Sequence, residues 1–160
     1  MSDAQQNNAP VFSIEKLYVK DISLEIPNAP QAFLERETPT VDIQLHHNSS
    51  RVDEGLYQTS LTVTVTAKTA DKTLFLVEAT QAGIFTLRNI PQGDMDAVLA
   101  IACPNILFPY VREVVSDIVV RAGFPPVVLN PVNFEALYQA QRDQLAQGSA
   151  PQIITPGVSH

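Results

Sequence analysis

The chain has 160 residues, 45% of them hydrophobic and 17% charged, with a net charge of −7 and a single cysteine. That length and apolar share support one domain with a buried core, and the lone thiol excludes an intrachain disulfide and a cysteine-rich zinc site. The acidic balance argues against nucleic acid and anionic membrane surfaces and favours a basic partner, although it also serves plain solubility.

Residues 1–10 are polar and rich in Asn and Gln, and they lack the basic start and apolar core of a signal peptide. They read as a disordered leader. No uninterrupted run approaches ~18 apolar residues, so no membrane-spanning segment is expected. From Val11 to Ile26 the pattern predicts a strand, with Phe12, Ile14, Leu24 and Ile26 alternating with polar residues. Its phase changes near Leu17-Tyr18-Val19, which suits a bulge. Pro27-Asn28-Ala29-Pro30 stops it. A crossing segment follows to about Pro39, with Phe33 and Leu34 as its only large apolar residues. Val41, Ile43 and Leu45 alternate with Asp42 and Gln44 and predict a second strand, after which His46-His47-Asn48-Ser49-Ser50 reads as a turn.

Leu56 to Lys68 is the clearest strand, with Leu61, Val63 and Val65 on one face and Thr62, Thr64 and Thr66 on the other. Asp71-Lys72 falls at a hairpin turn, and Leu74 to Leu87 forms the fourth strand with a weak spot at Ala82-Gly83. Links this short make the sheet antiparallel, because parallel strands need long crossovers. Beyond Gly93 the pattern turns helical. Asp94 is placed to cap a short helix through about Ala102, and a second helix is expected from about Asn105 to Ala122, with Pro104 and Pro109 marking a corner and a restart. Gly123 ends that helix and Phe124-Pro125-Pro126 forbids its continuation. Val127 to Leu129 is extended, Asn133 caps a final helix from Phe134 to about Ala146, and the stretch after Gly148 reads as a loose tail. Strands first and helices after describe an α+β domain over 11–147, with 148–160 as a flexible tail.

The chain offers no catalytic set. Cys103 lies in an apolar run and reads as a small buried hydrophobe. His46 and His47 are neighbours and point apart, so with only His160 besides they make a poor metal set. No Gly-rich phosphate loop and no nucleophile elbow is present, and although Asp94 and Asp96 are a close carboxylate pair, Asp94 is better explained as a helix cap. No enzyme activity, cofactor or metal is expected.

Binding is what remains. The final helix carries Phe134, Leu137, Tyr138, Gln141 and Leu145 on one side and few charges on the other. If it lies against Val41–Leu45 below the Phe33-Leu34 segment, the three form an elongated apolar trough; the alternative is that all these residues are ordinary core. Asp21, Glu25 and Glu78 lie on the first and fourth strands, and if those are neighbours the carboxylates form one acidic patch beside Leu76.

Several stretches then give the chain a family likeness: Tyr18-Val19-Lys20-Asp21-Ile22-Ser23, Pro27 to Pro30, Gly83-Ile84-Phe85, Cys103 to Tyr110, Phe124-Pro125, and Pro131-Val132-Asn133-Phe134. In this order and spacing they resemble the SecB family of bacterial export chaperones, from about Phe12 to Leu145. The resemblance implies a four-stranded antiparallel sheet with helices packed on one face, assembled as a homotetramer that is a dimer of dimers. It implies an ATP-independent cytoplasmic chaperone that binds unfolded secretory preproteins and delivers them to the SecA motor, with no nucleic acid partner and no membrane insertion. Carried over position by position, it implies SecA contacts at Asp21, Glu25, Leu76 and Glu78. It implies a client groove from the crossing segment, second strand and last helix, with Phe33, Val41, Ile43, Leu45, Phe134, Leu137 and Tyr138. Two features depart from relatives. Some place a tryptophan near Glu35-Arg36-Glu37, whereas this chain has none, and some have acidic tails, whereas Pro151 to His160 is uncharged apart from its end. A SecB-like chaperone serving one dedicated partner, such as an antitoxin, stays open beside general export.

Overall fold

A computed structural model describes residues 8–70, 72–148 and 158–159. The leader proposed over 1–10 falls largely outside them, as do Asp71 of the expected turn and most of the tail.

Four long strands make one antiparallel sheet in the order β1-β4-β3-β2. They are β1 (Val11–Glu25), β2 (Thr40–Asp53), β3 (Leu56–Lys68) and β4 (Thr73–Arg88). The ladder of β1 on β4 shifts register between Ile14 and Lys16 and again between Val19 and Asp21, which brackets the phase change read at Leu17–Val19. In β3 the period of two does what it predicts. Leu61, Val63, Val65 and Ala67 are wholly buried on one face, and the threonines between them lie on the other, with Thr62 Oγ1 2.9 Å from Thr80 Oγ1.

Two expectations are corrected. His46–Ser50 is not a turn: β2 continues through it, pairing residue for residue with Thr62 to Gln58 of β3. The stretch is polar because its outward residues face solvent, while inward Ser49 meets Thr59 Oγ1 at 2.8 Å. The reversal falls at Gly55, whose φ of +67° an L side chain rarely adopts. The second correction concerns the helices. The expected corner and restart near Pro104 are absent, and helix runs without a break from Gln92 to Arg121: α1 (Gln92–Ala97), a π segment (Val98–Ala102) and α2 (Cys103–Arg121). Pro104 has no N–H to give the carbonyl one turn back, and the helix widens into the π segment just before it instead of stopping. Pro109, inside α2, is exposed, so the carbonyl it leaves unpaired faces the wet side. Asp94 sits in the first turn of α1 without a side-chain cap; Pro91 takes the cap position.

By length and composition Gln92–Arg121 passes for a membrane span. Its packing is one-sided, as in an amphipathic helix lying on a sheet. Cys103, Leu107, Val111, Val115 and Val119, four residues apart, form a buried ridge on β3 and β4, and Arg112, Glu113, Asp117 and Arg121 lie off that ridge. Burying each large member of the ridge is worth about 1.5–3 kcal/mol. The helix ends as its sequence dictates. Gly123 has a φ of +92°, and the Phe124 N–H donates to the Val119 carbonyl at 3.2 Å, the longer bond of a Schellman ending. Beyond it come β5 (Val128–Leu129) and α3 (Phe134–Ala146), whose N-cap Asn133 accepts from the Ala136 N–H at 3.0 Å. Val158–Ser159, within the stretch expected to be loose, forms β6 and pairs antiparallel with β5.

Candidate functional site

The sheet has two unlike faces. On the face that carries no helix, the β1–β4 register sets Ser23 opposite Glu78 and Glu25 opposite Leu76, with Asp21 one step further along opposite Thr80. The structure therefore brings Asp21, Glu25, Leu76 and Glu78 onto one patch. The three carboxylates are exposed and Leu76 is half-buried. Thr64 Oγ1 donates to Glu78 Oε2 at 3.1 Å, and at the other end of the strands Thr86 donates to Glu15 at 2.7 Å. Among the described residues no lysine or arginine ion pair neutralises Asp21, Glu25 or Glu78. The patch presents negative charge on a hydrogen-bonded strand surface, with one half-buried leucine among the carboxylates.

The helix face holds the residues assigned to a groove. Phe33 is 48% exposed and sits in the crossing segment, on the 3-10 turn Gln31–Leu34. Its ring stacks on Phe124 at 5.1 Å, and Phe124 in turn meets Phe75 at 4.8 Å. Gly123 makes room for this, since a Cβ there would stand 2.9 Å from the Phe33 ring. The crossing segment is pinned by Glu35. Its carboxylate accepts from the Arg36 and Glu37 N–H groups and lies 3.7 Å from Lys72 Nζ. Those backbone bonds, with Glu37 first, hold its pKa below the usual range.

At the other end, Phe134 meets Phe108 edge to face at 6.0 Å, and α3 rests on the π segment. The two ring contacts are about 20 Å apart along α2, at about 1.5 Å per residue. Tyr138, Arg142 and Leu145 of α3 face His47, Asn48 and Ser49 of β2 across a cavity of about 530 Å³, floored by Leu99 and Ala100. The expected trough took α3 to β2 at Val41–Leu45; the cavity between them lies further along, in the stretch misread as a turn. Arg142 stacks over Tyr138 with its guanidinium 5.6 Å from the ring centre. Burial, and to a lesser degree the neighbouring His46, pushes the His47 pKa down.

The proposed groove residues thus divide. Phe33 is exposed and Val41, Leu137 and Tyr138 are half-buried, whereas Ile43, Leu45 and Phe134 are buried within this chain, at 1%, 8% and 1% exposure. The buried three belong to this chain's own hydrophobic core. Sequence reading missed His47, Ser49 and Arg142 as lining residues, and the clue was present: His47 and Ser49 continue the inward phase of Val41, Ile43 and Leu45. Cys103 is fully buried against the Thr59 hydroxyl, and burial raises its thiol to about 11, so it stays protonated and unreactive at neutral pH.

The family model for the preprotein translocase subunit SecB matches residues 5–145. Protein-export protein SecB of Nitrosospira multiformis is 64% identical over 95% of this chain and 94% of its own. The protein of the same name from Nitrosomonas eutropha is 52% identical, with full coverage of both chains. Among solved structures, the SecB-like chaperone of Mycobacterium tuberculosis in complex with a ChAD peptide from an antitoxin superposes with a TM-score of 0.63. It covers 76% of this chain and 90% of its own at 16% identity, which shows a shared fold. The chain belongs to the SecB family of protein-export chaperones.

Proposed function

We propose that this chaperone holds unfolded secretory preproteins in the cytosol, as a homotetramer and without nucleotide or cofactor, and passes them to the SecA motor. The observation that carries this reading is the separation of two binding chemistries on opposite faces of one sheet. The acidic patch of Asp21, Glu25 and Glu78 around Leu76 lies on the bare face, whereas Phe33 at one end and the cavity beside Tyr138 and Leu145 at the other lie on the helix face. A client and a motor can therefore be held at once. The net charge of −7, multiplied by assembly, steers a basic motor element to the patch and makes that contact weaken as salt rises.

On the helix face, an extended client crosses about 20 Å in roughly six residues. Each large side chain it buries contributes about 1.5–3 kcal/mol before ordering costs. Several subunits then add avidity without any tight single site. Selectivity follows from shape, since a folded protein cannot lay apolar segments along such a surface.

Assembly is supported by β1. It is an edge strand, and on its helix side Phe12, Ile14, Val19, Ile22 and Leu24 are 37–46% exposed while Leu17 is half-buried, because α2 packs chiefly on β3 and β4. An uncovered apolar edge of this length calls for a second copy of the chain. The decisive experiment compares two pairs of substitutions. Asp21→Ala with Glu78→Ala is expected to weaken SecA binding and leave precursor binding within about twofold, a change of roughly 0.4 kcal/mol. Leu137→Ser with Tyr138→Ser is expected to do the reverse. Equal losses of both activities in either pair, with circular dichroism unchanged, would refute the division of labour.

A further inference from the structure

The cavity between α3 and β2 joins an apolar floor to charged walls. Leu99 and Ala100 make the floor, and the walls carry one cation, Arg142 of α3, and one anion, Asp96 of α1. Among the described residues neither side chain forms an ion pair. Arg142 follows Tyr138 by one helical turn and lies over its ring, with the guanidinium 5.6 Å from the ring centre. Such a contact restrains a long side chain and leaves the in-plane N–H fork for another acceptor. His47, on the facing strand, is neutral at pH 7 because burial lowers its pKa, so it adds a hydrogen-bonding nitrogen and no charge. Arg142, His47 and the Tyr138 hydroxyl can each donate to an acceptor in the cavity, whereas a cation would find only Asp96 as a charged partner.

We infer that Arg142 is a specificity-determining residue: it selects a client side chain that ends in a carboxylate, with the aliphatic stem on Leu99 and Ala100 and the carboxylate on the guanidinium edge. The inference rests on the chaperone reading and adds to it the charge that this part of the surface chooses. The guanidinium fork matches a carboxylate with two parallel N–H···O bonds, and its restraint on Tyr138 lowers the entropy lost in making them. Asp96 works against the same carboxylate by like charge and so limits the selection. The choice runs against the net charge of −7, which repels acidic segments at long range and is screened by salt. Arg142 acts at contact, and it admits apolar segments carrying an acidic residue that the long-range field alone turns away.

The test compares the full chain with Arg142→Gln, Arg142→Lys and Asp96→Asn. Each is titrated, at about 0.15 M salt to screen the long-range field, with two labelled peptides of Leu, Val and Thr that differ only in a central Glu or Gln. The Glu-to-Gln affinity ratio is read within each protein, so that a general loss of packing cancels. The expected result is a Glu peptide bound about threefold more tightly than its Gln twin by the unsubstituted chain, the scale of one exposed ion pair. Arg142→Gln should bring the ratio to unity, Arg142→Lys should keep part of it because the charge stays and the fork is lost, and Asp96→Asn should raise it. Equal affinities for the two peptides on the unsubstituted chain, a ratio that Arg142→Gln leaves unchanged, or one that Asp96→Asn fails to raise would overturn the inference and leave the chaperone reading intact. Peptides that fail to bind while a denatured precursor binds would also overturn the inference alone. Failure of the peptides and the precursor together would overturn both.

Discussion

β1 and β4 lie side by side with the same kind of sequence and opposite fates. On β4 the helix-side residues Val77, Ala79, Phe85 and Leu87 are at most 3% exposed. On β1 the residues paired with them across the ladder, Leu24, Ile22, Ile14 and Phe12, are 37–46% exposed. Both strands alternate as a half-buried strand should. The difference comes from α2, whose buried ridge rests on β3 and β4 and stops short of β1. Hydrophobic periodicity therefore tells which face of a strand is apolar; it does not tell whether that face is covered by the same chain or by another.

The comparison breaks most visibly on β4. Phe85→Ala removes a wholly buried ring and is expected to cost about 3–5 kcal/mol, read as a fall in the denaturant midpoint. On β1, Val19→Ser with Ile22→Ser is expected to change the stability of an isolated chain by no more than about 0.5 kcal/mol, the usual scale for exposed positions. The same pair should shift the subunit distribution toward smaller species in native mass spectrometry. A matching loss of stability at β1 and β4 would mean that the β1 face is ordinary core.

A smaller effect sharpens the contrast at the end of α2. Gly123→Ala strains a φ of +92° and pushes a Cβ to within 2.9 Å of the Phe33 ring. A destabilisation of about 1–3 kcal/mol is expected, with Phe33 displaced from Phe124. Changed tyrosine and phenylalanine signals in near-ultraviolet circular dichroism, with far-ultraviolet signal retained, would report it. The smallest effect concerns pH. The folded state holds the His47 pKa below its free value of 6.5, chiefly by burial. The unfolded chain takes up its proton first as pH falls, so the neutral imidazole's contribution is present above that value and declines below it. His47→Gln is expected to flatten this decline in a plot of Tm against pH; an unchanged slope would show that His47 is not held neutral.

What the sequence disclosed follows the range of the forces involved. The bounds of β3, the cap at Asn133 and the ending at Gly123 were legible because each is fixed within a few residues, by alternation, by an Asx side chain or by positive φ. His46–Ser50 was misread as a turn because its polarity resembles one, while its strand state comes from pairing with β3, a partner elsewhere in the chain. The unbroken helix through Pro104 was missed for a related reason: a π segment absorbs the proline, and nothing in the spelling distinguishes that from a stop. The acidic patch was foreseen conditionally, and the β1–β4 register supplied the condition. The cavity between α3 and β2 was misplaced along the strand, because how far a helix slides past a sheet leaves no local mark.

The measurement that tests the account most directly is native mass spectrometry of the chain with a secretory precursor, supplied denatured and folded in parallel and without nucleotide. The account predicts a tetramer that carries the denatured precursor and ignores the folded one. A monomer, or an assembly indifferent to whether the precursor is folded, would contradict it.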